Sequence, residues 1–308
     1  MQMSVPIACV TGASGTIGSK IMAMLLSRGY KVRILSRKVY PVIPGLEVFK
    51  GDINSGEVLK NFLQSSQILF HCAAELKDVS RMWEVNVTRT ERIIKYAESF
   101  EIKYFCYLSS VGVIGDTNLK LVDESTPCKP QNIYEKSKWT AEQIVIRGIK
   151  GCKVVILRPT NVVDEENPGM LYLFRRGSWI DLCKVFLIGG ECAHIVHSED
   201  VADAAVYFIS HHLETVQCYI VSTDEEPLNT FSELWALYNA YHKGSIVNTV
   251  RAMPHLPLRV LYILRKFLRG SGNSGDVRYS SKKLLKAGFV FKLGAKGAVY
   301  RIASESDS

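Results

Sequence analysis

A tyrosine and a lysine stand four residues apart in the stretch Tyr134-Glu-Lys-Ser-Lys138, which has a helical pattern. A spacing of four places both side chains on one helix face, one turn apart. A phenol has an unperturbed pKa of about 10, and a neighbouring ammonium group lowers that pKa by favouring the phenolate. We therefore expect Tyr134 to exchange a proton with a carbonyl or carbinol oxygen. The alternative is an ordinary Tyr–Lys pair on a solvated helix face.

Two serines, Ser109 and Ser110, directly follow the apolar run Tyr104–Leu108. In a parallel sheet, ligands bind beyond the carboxyl ends of the strands. Both hydroxyls are therefore predicted to face one crevice, where a hydroxyl can hydrogen-bond the reacting oxygen.

Three glycines, Gly12, Gly15 and Gly18, lie between the apolar run Ile7–Val10 and a helical pattern. In a dinucleotide-binding loop the first glycine allows a tight turn, the second admits a pyrophosphate and the third lets helix and sheet pack closely. The helix end that follows favours negative charge. The alternative is a plain strand-to-helix turn.

The end of the second predicted strand carries Arg33, Arg37 and Lys38, and no Asp or Glu occurs between residues 19 and 46. An acidic residue there would bind the ribose of NAD, whereas an arginine can pair with the 2′-phosphate of NADP. Arg37 is the predicted phosphate clamp, with a surface arginine as the alternative. NADP is therefore the preferred cofactor and NAD the alternative.

Short apolar runs alternate with helical patterns through the first half of the chain, which predicts an α/β fold with a doubly wound parallel sheet of Rossmann type. The predicted strands are Ile7–Val10, Lys31–Leu35, Leu46–Lys50, Ile68–Cys72, Tyr104–Leu108 and Val154–Leu157. The predicted helices are Ile17–Arg28, Gly56–Gln64, Met82–Phe100 and Tyr134–Lys150. Because the alternation breaks up later, residues 1–160 are expected to bind the cofactor and residues 161–308 to form a smaller, intertwined substrate-binding lobe.

The composition is that of a soluble globular protein, with 308 residues of which 47% are hydrophobic and 22% charged. No signal-like start, membrane-spanning run or nucleic-acid-binding motif is found. The eight scattered cysteines form no CxxC pair, so we expect a protein of the reducing cytoplasm without a zinc site or a disulfide scaffold. His194 and His197 have no nearby ligand partner in the sequence, so no metal site is predicted.

The net charge of +8 is concentrated in residues 251–308, which hold 12 Lys/Arg and 3 Asp/Glu.

Seven segments in order resemble the extended short-chain dehydrogenases/reductases, the epimerase/dehydratase superfamily. They are TGASGTIG at 11–18, HCAA at 71–74, Asn86 in EVNVTRTERI, Ser109-Ser110 followed by Gly115, YEKSK at 134–138, LRPTNVV at 157–163 and VHSEDVADA at 196–204. The resemblance covers roughly residues 5–300 and is specific for the superfamily rather than for one member.

The resemblance implies roles residue by residue. Tyr134 would be the general acid/base, Lys138 would lower its pKa and hold the nicotinamide ribose, and Ser110 would hold the reacting oxygen. Asn86 would lie beneath the lysine, unless it is a helix-surface residue. With the glycines and Arg37, the cofactor would contact Ser14, Thr16, Ile17, Asp52, Ile53, Ala73, Ala74, Ser109, Pro159 and Thr160.

Departures from the family pattern narrow the activity. Ser110-Val-Gly replaces the Thr-Asp-Glu of sugar dehydratases, and Ala193 stands where epimerases carry an arginine for the substrate diphosphate. Arg175-Arg176 is the alternative clamp. We expect an NAD(P)-dependent oxidoreductase acting on a secondary alcohol or ketone of a small, non-nucleotide substrate, because GYKVRILSR at 29–37 resembles ketone reductases such as the dihydroflavonol reductases. The alternatives are a nucleotide-sugar epimerase with tightly bound NAD and a non-catalytic NADP-sensing binder.

The segment 256–268 resembles the apolar, basic helix of 3β-hydroxysteroid dehydrogenase-like members. It has an apolar side that includes Val260 and Ile263 and a basic side that includes Arg259 and Arg265. Three alternatives stay open: a helix that caps the substrate lobe, a lid over an apolar substrate, or peripheral contact with an anionic membrane. The resemblance also implies a homodimer that pairs through the helices at 82–100 and 134–150.

Overall fold

The computed structural model describes residues 5–172, 174, 179–211, 216–243, 251–269 and 276–304, with side chains for all of these except 264–269. A seven-stranded sheet contains β1 (Ile7–Thr11), β2 (Lys31–Ser36), β3 (Leu46–Lys50), β4 (Ile68–His71), β5 (Tyr104–Leu108), β7 (Lys153–Pro159) and β10 (Gln217–Val221). Two short sheets pair β6 (Leu121–Val122) with β11 (Arg278–Tyr279) and β8 (Asn161–Val163) with β9 (Ile195–His197).

The order of the large sheet is β10-β7-β5-β4-β1-β2-β3. The pairings that join β3 through β7 in this order are all parallel. The chain starts at β1, builds outward to β3, and then returns to β4 on the other side of β1. Ligands bind where a doubly wound sheet reverses direction in this way, so the carboxyl ends of β1 and β4 mark the expected crevice. The predicted Rossmann-type fold is confirmed.

The helices confirm most of the predicted elements and correct one. They are α1 (Thr16–Ser27), α2 (Gly56–Leu63), α3 (Val79–Trp83), α4 (Arg89–Ser99), α5 (Ile133–Ile146), α6 (Trp179–Ile188), α7 (Ser198–Tyr207), α8 (Phe231–His242), α9 (Leu258–Arg269), α10 (Lys282–Lys286) and α11 (Gly294–Ser304). The predicted single helix Met82–Phe100 begins earlier, at Val79, and a π-helical turn at Glu84–Thr88 separates α3 from α4.

The chain divides into two compact units, each built from three stretches. The first comprises Met1–Gly115, Cys128–Arg158 and Val201–Tyr219, and the second comprises Asp116–Pro127, Pro159–Asp200 and Ile220–Ser308. The first unit has its own apolar core, which includes Phe62, Phe105 and Ile156. The second has another, which includes Leu234, Val299 and Ile302. The boundary expected at residue 160 stays a prediction. Among the described residues, none of the helices combines the length and apolarity needed to cross a membrane.

Candidate active site

The loop between β1 and α1 lies directly against the loop that follows β4. Gly12 has φ +70°, and a Cβ atom there would lie 2.6 Å from the backbone nitrogen of Ala73. A Cβ atom on Gly18 would overlap the carbonyl oxygen of Gly12. Larger residues at these positions would therefore push the two loops, or the helix and its loop, apart.

The start of α1 can hold an anion. Gly15 is its N-cap, no side chain caps the helix, and its first turn contains no acidic residue. The first backbone N–H groups of a helix have no partner within the helix and carry a partial positive charge. The pyrophosphate of a dinucleotide therefore fits this loop, which the predicted contacts Gly12, Ser14, Gly15, Thr16, Ile17 and Gly18 form.

A cleft of about 250 Å³ opens beside this loop, within the first unit. Eight of the predicted cofactor contacts line it: Gly12, Ser14, Gly15, Arg37, Asp52, Ile53, Ala73 and Ala74. Sequence reasoning missed other lining residues, namely Thr11, Leu35, Ser36, Lys38, Gly51, Cys72, Glu75, Arg81, Val85 and Arg89. Most of these lie at strand ends, where the topology would have indicated them, but no local signal points to Arg81 or Arg89.

The arginines near the cleft differ in what they bind. Arg33 pairs with Glu47 at 2.8 Å and also donates to the backbone carbonyl oxygen of Gln64. Arg89 pairs with Asp52 at 2.7 Å. Arg37 is exposed, lines the cleft, and forms no hydrogen bond or ion pair with any residue that the structure describes. Of these three side chains, Arg37 is the one available for a phosphate of a bound ligand.

Tyr134 lies in the first turn of α5, beside Ser110. An Asn132–Glu135 capping box starts this helix: Asn132 Oδ1 accepts from the Glu135 N–H at 2.9 Å, and the Glu135 carboxylate accepts from the Asn132 N–H. Burial raises the pKa of the Tyr134 phenol, and a hydrogen bond with the Ser110 side chain partly offsets this. The structure thus places Tyr134 beside Ser110, whose Oγ atom also accepts from the Gly112 N–H at 3.0 Å, and the catalytic roles of both residues stay predictions.

The ammonium group of Lys138 contacts β5, and its role in lowering the pKa of Tyr134 stays a prediction. Its Nζ atom donates to the carbonyl oxygen of Leu108 at 2.5 Å and lies 4.4 Å from the centre of the Tyr107 ring. Burial lowers the pKa of Lys138 itself from 10.5 to about 8. The ammonium group is therefore held at the end of β5, and burial governs the pKa of the phenol.

We expect a Lys138→Met variant to change the pH dependence of stability. Between pH 8 and 10.5 the unfolded chain holds the Lys138 proton and the folded chain does not. The wild type should therefore gain about 3 kcal/mol of unfolding free energy relative to the variant as the pH rises through this range. Buried thiols such as Cys9, with a pKa of about 12, lower the unfolding free energy as the pH rises, but they do so equally in both proteins. The difference between the wild type and the variant therefore reports on Lys138.

Urea unfolding at several pH values measures this difference. Lys136→Met, at an exposed position two residues away, is the matched control and should follow the wild type. A constant difference between the wild type and Lys138→Met across the range would contradict the burial of the charged group.

Asn86 is buried in the π-helical turn and joins two parts of the site. Its Nδ2 atom donates to Ser137 Oγ at 2.9 Å and to the carbonyl oxygen of Glu75, and its Oδ1 atom accepts from the Glu75 N–H at 2.7 Å. Ser137 lies on α5 between Tyr134 and Lys138, whereas Glu75 lines the cleft. Asn86 is thus not a helix-surface residue but a bridge between α5 and the cleft wall.

Ser109 and Ser110 differ in their partners. Ser109 Oγ donates to Glu142 Oε2 at 2.6 Å, and Arg158 forms a two-point ion pair with the same carboxylate. Glu142 and Arg158 are almost fully buried. The Ser109 hydroxyl is therefore directed at an internal charge cluster, and its contact with a cofactor stays a prediction. Pro159 and Thr160 lie in the second unit, and their contacts with a cofactor also stay predictions.

His194 does have nearby groups of the kind that bind metals, which corrects the sequence-based expectation. The ligand atoms of Cys192, His194 and Asp224 lie within 4.8 Å of one another in the second unit. His194 Nδ1 contacts Asp224 Oδ2 at 2.6 Å, and the same oxygen accepts from the Tyr279 N–H at 2.8 Å. These hydrogen bonds account for the cluster as a link between three segments, so the absence of a metal stays our prediction. His197 is fully buried.

The family model that matches the chain describes the NAD dependent epimerase/dehydratase family and covers residues 8–221. A curated relative, the 3 beta-hydroxysteroid dehydrogenase/Delta 5-->4-isomerase of Mycobacterium tuberculosis, is 27% identical over 245 residues, which are 72% of this chain and 66% of the relative. The N-acetyl-alpha-D-glucosaminyl-diphospho-ditrans,octacis-undecaprenol 4-epimerase of Escherichia coli O157:H7 is 29% identical over 172 residues, 52% of this chain and 50% of the relative.

Among solved structures, the Bordetella bronchiseptica enzyme WbmG in complex with NAD and UDP is similar in fold. The two share 18% identity with a TM-score of 0.76, and the match covers 99% of this chain and 96% of that one. The likeness extends over the whole fold, whereas the chain matches between about half and two thirds of the length of the curated relatives described above.

Proposed function

The chain belongs to the NAD-dependent epimerase/dehydratase family, and from this membership we propose that it is an NAD(P)-dependent oxidoreductase acting on a secondary alcohol or ketone. The observation that carries the proposal is the placement of the Tyr134 phenol beside Ser110, on the helix that also carries the buried ammonium group of Lys138. A bound nicotinamide would supply the hydride chemistry. The curated relative named as a hydroxysteroid dehydrogenase supports a substrate of this class.

The chain's own residues would move the proton and hold the substrate oxygen. Tyr134 would donate its phenolic proton to a carbonyl oxygen, or accept one from a carbinol. Ser110 would hydrogen-bond the same oxygen and orient it. Lys138, fixed by the carbonyl oxygen of Leu108, would place a positive charge near the phenolate as it forms. Partial burial of Tyr134 would keep bulk water from competing for the proton.

A non-nucleotide substrate is supported by the second unit. Ala193 takes the place of the arginine that grips the diphosphate in epimerases, and it is buried in the core of that unit, at 1% exposure. Its methyl group has no donor or charge with which to bind a diphosphate. Arg175 and Arg176, the alternative clamp, lie outside the described residues.

We expect the chain to bind NADPH more tightly than NADH. Arg37 lines the cleft without a protein partner, so a 2′-phosphate could occupy its guanidinium group. A hydrogen bond to a charged group contributes about 1.5–3 kcal/mol, so Arg37→Ala should weaken NADPH binding by about 10- to 100-fold. NADH binding should change little. Quenching of protein fluorescence by each cofactor measures both dissociation constants.

Arg33→Ala is the matched control for this experiment, because Arg33 lies on β2, which ends just before Arg37, and is paired with Glu47. That variant should retain the ratio of the two dissociation constants. Equal affinities of the wild type for NADPH and NADH would remove the role of Arg37 and favour NAD as the cofactor.

A nucleotide-sugar epimerase is the second candidate, favoured by the curated relative named as a 4-epimerase. An epimerase regenerates its cofactor within each turnover and would retain NAD through purification. A reductase would instead consume NADPH in solution. Absorbance of the denatured protein's supernatant, compared with NADPH consumption in the presence of a ketone, separates the two candidates.

A further inference from the structure

Helix α6 of the second unit exposes large apolar residues and buries its acidic residue. Its acidic residue, Asp181, is buried at 5% exposure, whereas Trp179 is 73% exposed. Ile180, Phe186 and Leu187 are also exposed. A helix on the surface of a soluble protein normally buries its apolar stripe and exposes its charges. The outer side of α6 is therefore suited to an apolar surrounding rather than to water.

The neighbouring helix α9 extends this apolar surface. The Leu256 N–H, just before α9, donates to the carbonyl oxygen of Phe186 on α6 at 2.8 Å. Leu261 of α9 is buried, but Val260 is exposed and Ile263 is 64% exposed. We define the docking surface by the exposed apolar residues of both helices: Trp179, Ile180, Phe186, Leu187, Val260 and Ile263.

The segment of sequence that contains α9 carries charges of one sign. The chain contains no Asp or Glu between Leu234 and Gly275, a stretch that holds six basic residues: Lys243, Arg251, Arg259, Arg265, Lys266 and Arg269. Four of them belong to α9. On α6 the exposed charged residue is Lys184. An apolar face bordered by basic residues is complementary to the surface of an anionic membrane.

We propose that this surface docks the protein on an anionic lipid bilayer, with the apolar residues of α6 and α9 entering the interface. Docking rather than spanning follows from the length of α9, which at 12 residues is too short to cross a bilayer. A second copy of the chain is the less suitable occupant, because a symmetric contact would bring the two basic segments together. This inference is independent of the proposed catalytic activity.

Vesicle flotation of the full chain tests the proposal. The protein should float with vesicles of equimolar phosphatidylcholine and phosphatidylglycerol but not with phosphatidylcholine alone. Arg259→Glu changes the surface by two charges, each contributing about fivefold, and should weaken binding by about 30-fold. Ile263→Asp should also weaken it, and added salt should release the protein.

Lys60→Glu is the matched control, since Lys60 is exposed on α2 of the first unit and undergoes the same charge change. It should float like the wild type. Absence of wild-type flotation with the anionic vesicles would overturn the proposal, as would equal losses for Arg259→Glu and Lys60→Glu. A dimer that Ile263→Asp dissociates, in a protein that binds no vesicles, would instead assign the surface to self-association.

Discussion

Replacing Tyr134 by phenylalanine is expected to lower turnover by about 10²- to 10⁴-fold, the range that a positioned acid or base contributes. The variant retains the ring, which is half-buried, and loses the hydroxyl group that contacts Ser110. Cofactor affinity should change little, because the cleft is lined by other residues. The loss should therefore appear in kcat rather than in the dissociation constant of the cofactor.

Steady-state rates with NADPH and a panel of ketones, together with cofactor titrations, provide the measurement. Tyr30→Phe makes the same chemical change at the turn after α1, away from the cleft, and should retain wild-type rates. Wild-type turnover by Tyr134→Phe would exclude this phenol as the acid/base and with it the proposed mechanism. Loss of both turnover and cofactor binding would indicate a folding defect instead.

The second large effect is expected from the buried pair of Glu142 and Arg158. Burial opposes the charge of Arg158, but its hydrogen bonds with Glu142 raise its pKa, and both side chains are almost inaccessible to water. Arg158→Met would leave a buried carboxylate whose remaining hydrogen-bond donor, among the described residues, is Ser109. Removing one partner of a buried ion pair costs about 3–5 kcal/mol, and we expect a loss of this size.

Urea unfolding of a set of variants checks the expectation. Lys95→Met breaks an exposed pair with Glu91 on α4 and should cost less than about 0.5 kcal/mol. The double variant Glu142→Leu/Arg158→Met should recover part of the loss, because it leaves no charge unpaired. If Arg158→Met lowered the unfolding free energy no more than Lys95→Met does, the Glu142–Arg158 pair would contribute no more to stability than a surface ion pair.

This pair also positions the catalytic helix. On α5, Glu142 lies one turn after Lys138 and two turns after Tyr134. Arg158 lies near the end of β7. The cluster therefore ties α5 to the sheet, below the groups proposed to act on the substrate. The sequence contained both residues, but nothing in their spacing indicated that they would meet.

The elements with strong local patterns could be predicted from the sequence. The six apolar runs became strands, and the Gly12–Gly18 loop lies where the strand–glycine–helix order placed it. The seventh strand, Gln217–Val221, was not predicted, because it lies in the later part of the chain, where the alternation of apolar runs and helical patterns breaks up. Its place at the sheet edge depends on pairing rather than on a pattern of its own.

The environment of the site residues could not be predicted from spacing. A separation of four places Tyr134 and Lys138 one turn apart, but it does not show that the ammonium group binds Leu108 instead. The distinction between Arg33 and Arg37 likewise depends on Glu47, which comes from the neighbouring strand. Asp224, which contacts the His194 ring, lies thirty residues further along the chain, and a contact of this kind depends on tertiary structure alone.

The π-helical turn at Glu84–Thr88 makes the length of this segment as significant as its composition. The π turn closes i→i+5 rather than i→i+4 hydrogen bonds and so holds one extra residue, and its residues Val85, Asn86 and Val87 are all buried. Removing one residue would restore the ordinary repeat, because the wide turn holds one residue more than an α-helical turn. We expect Asn86 then to lose its hydrogen bonds with Ser137 and Glu75, even with every other functional side chain retained. The segment is therefore expected to tolerate substitutions at its exposed positions, such as Thr88, better than insertions or deletions.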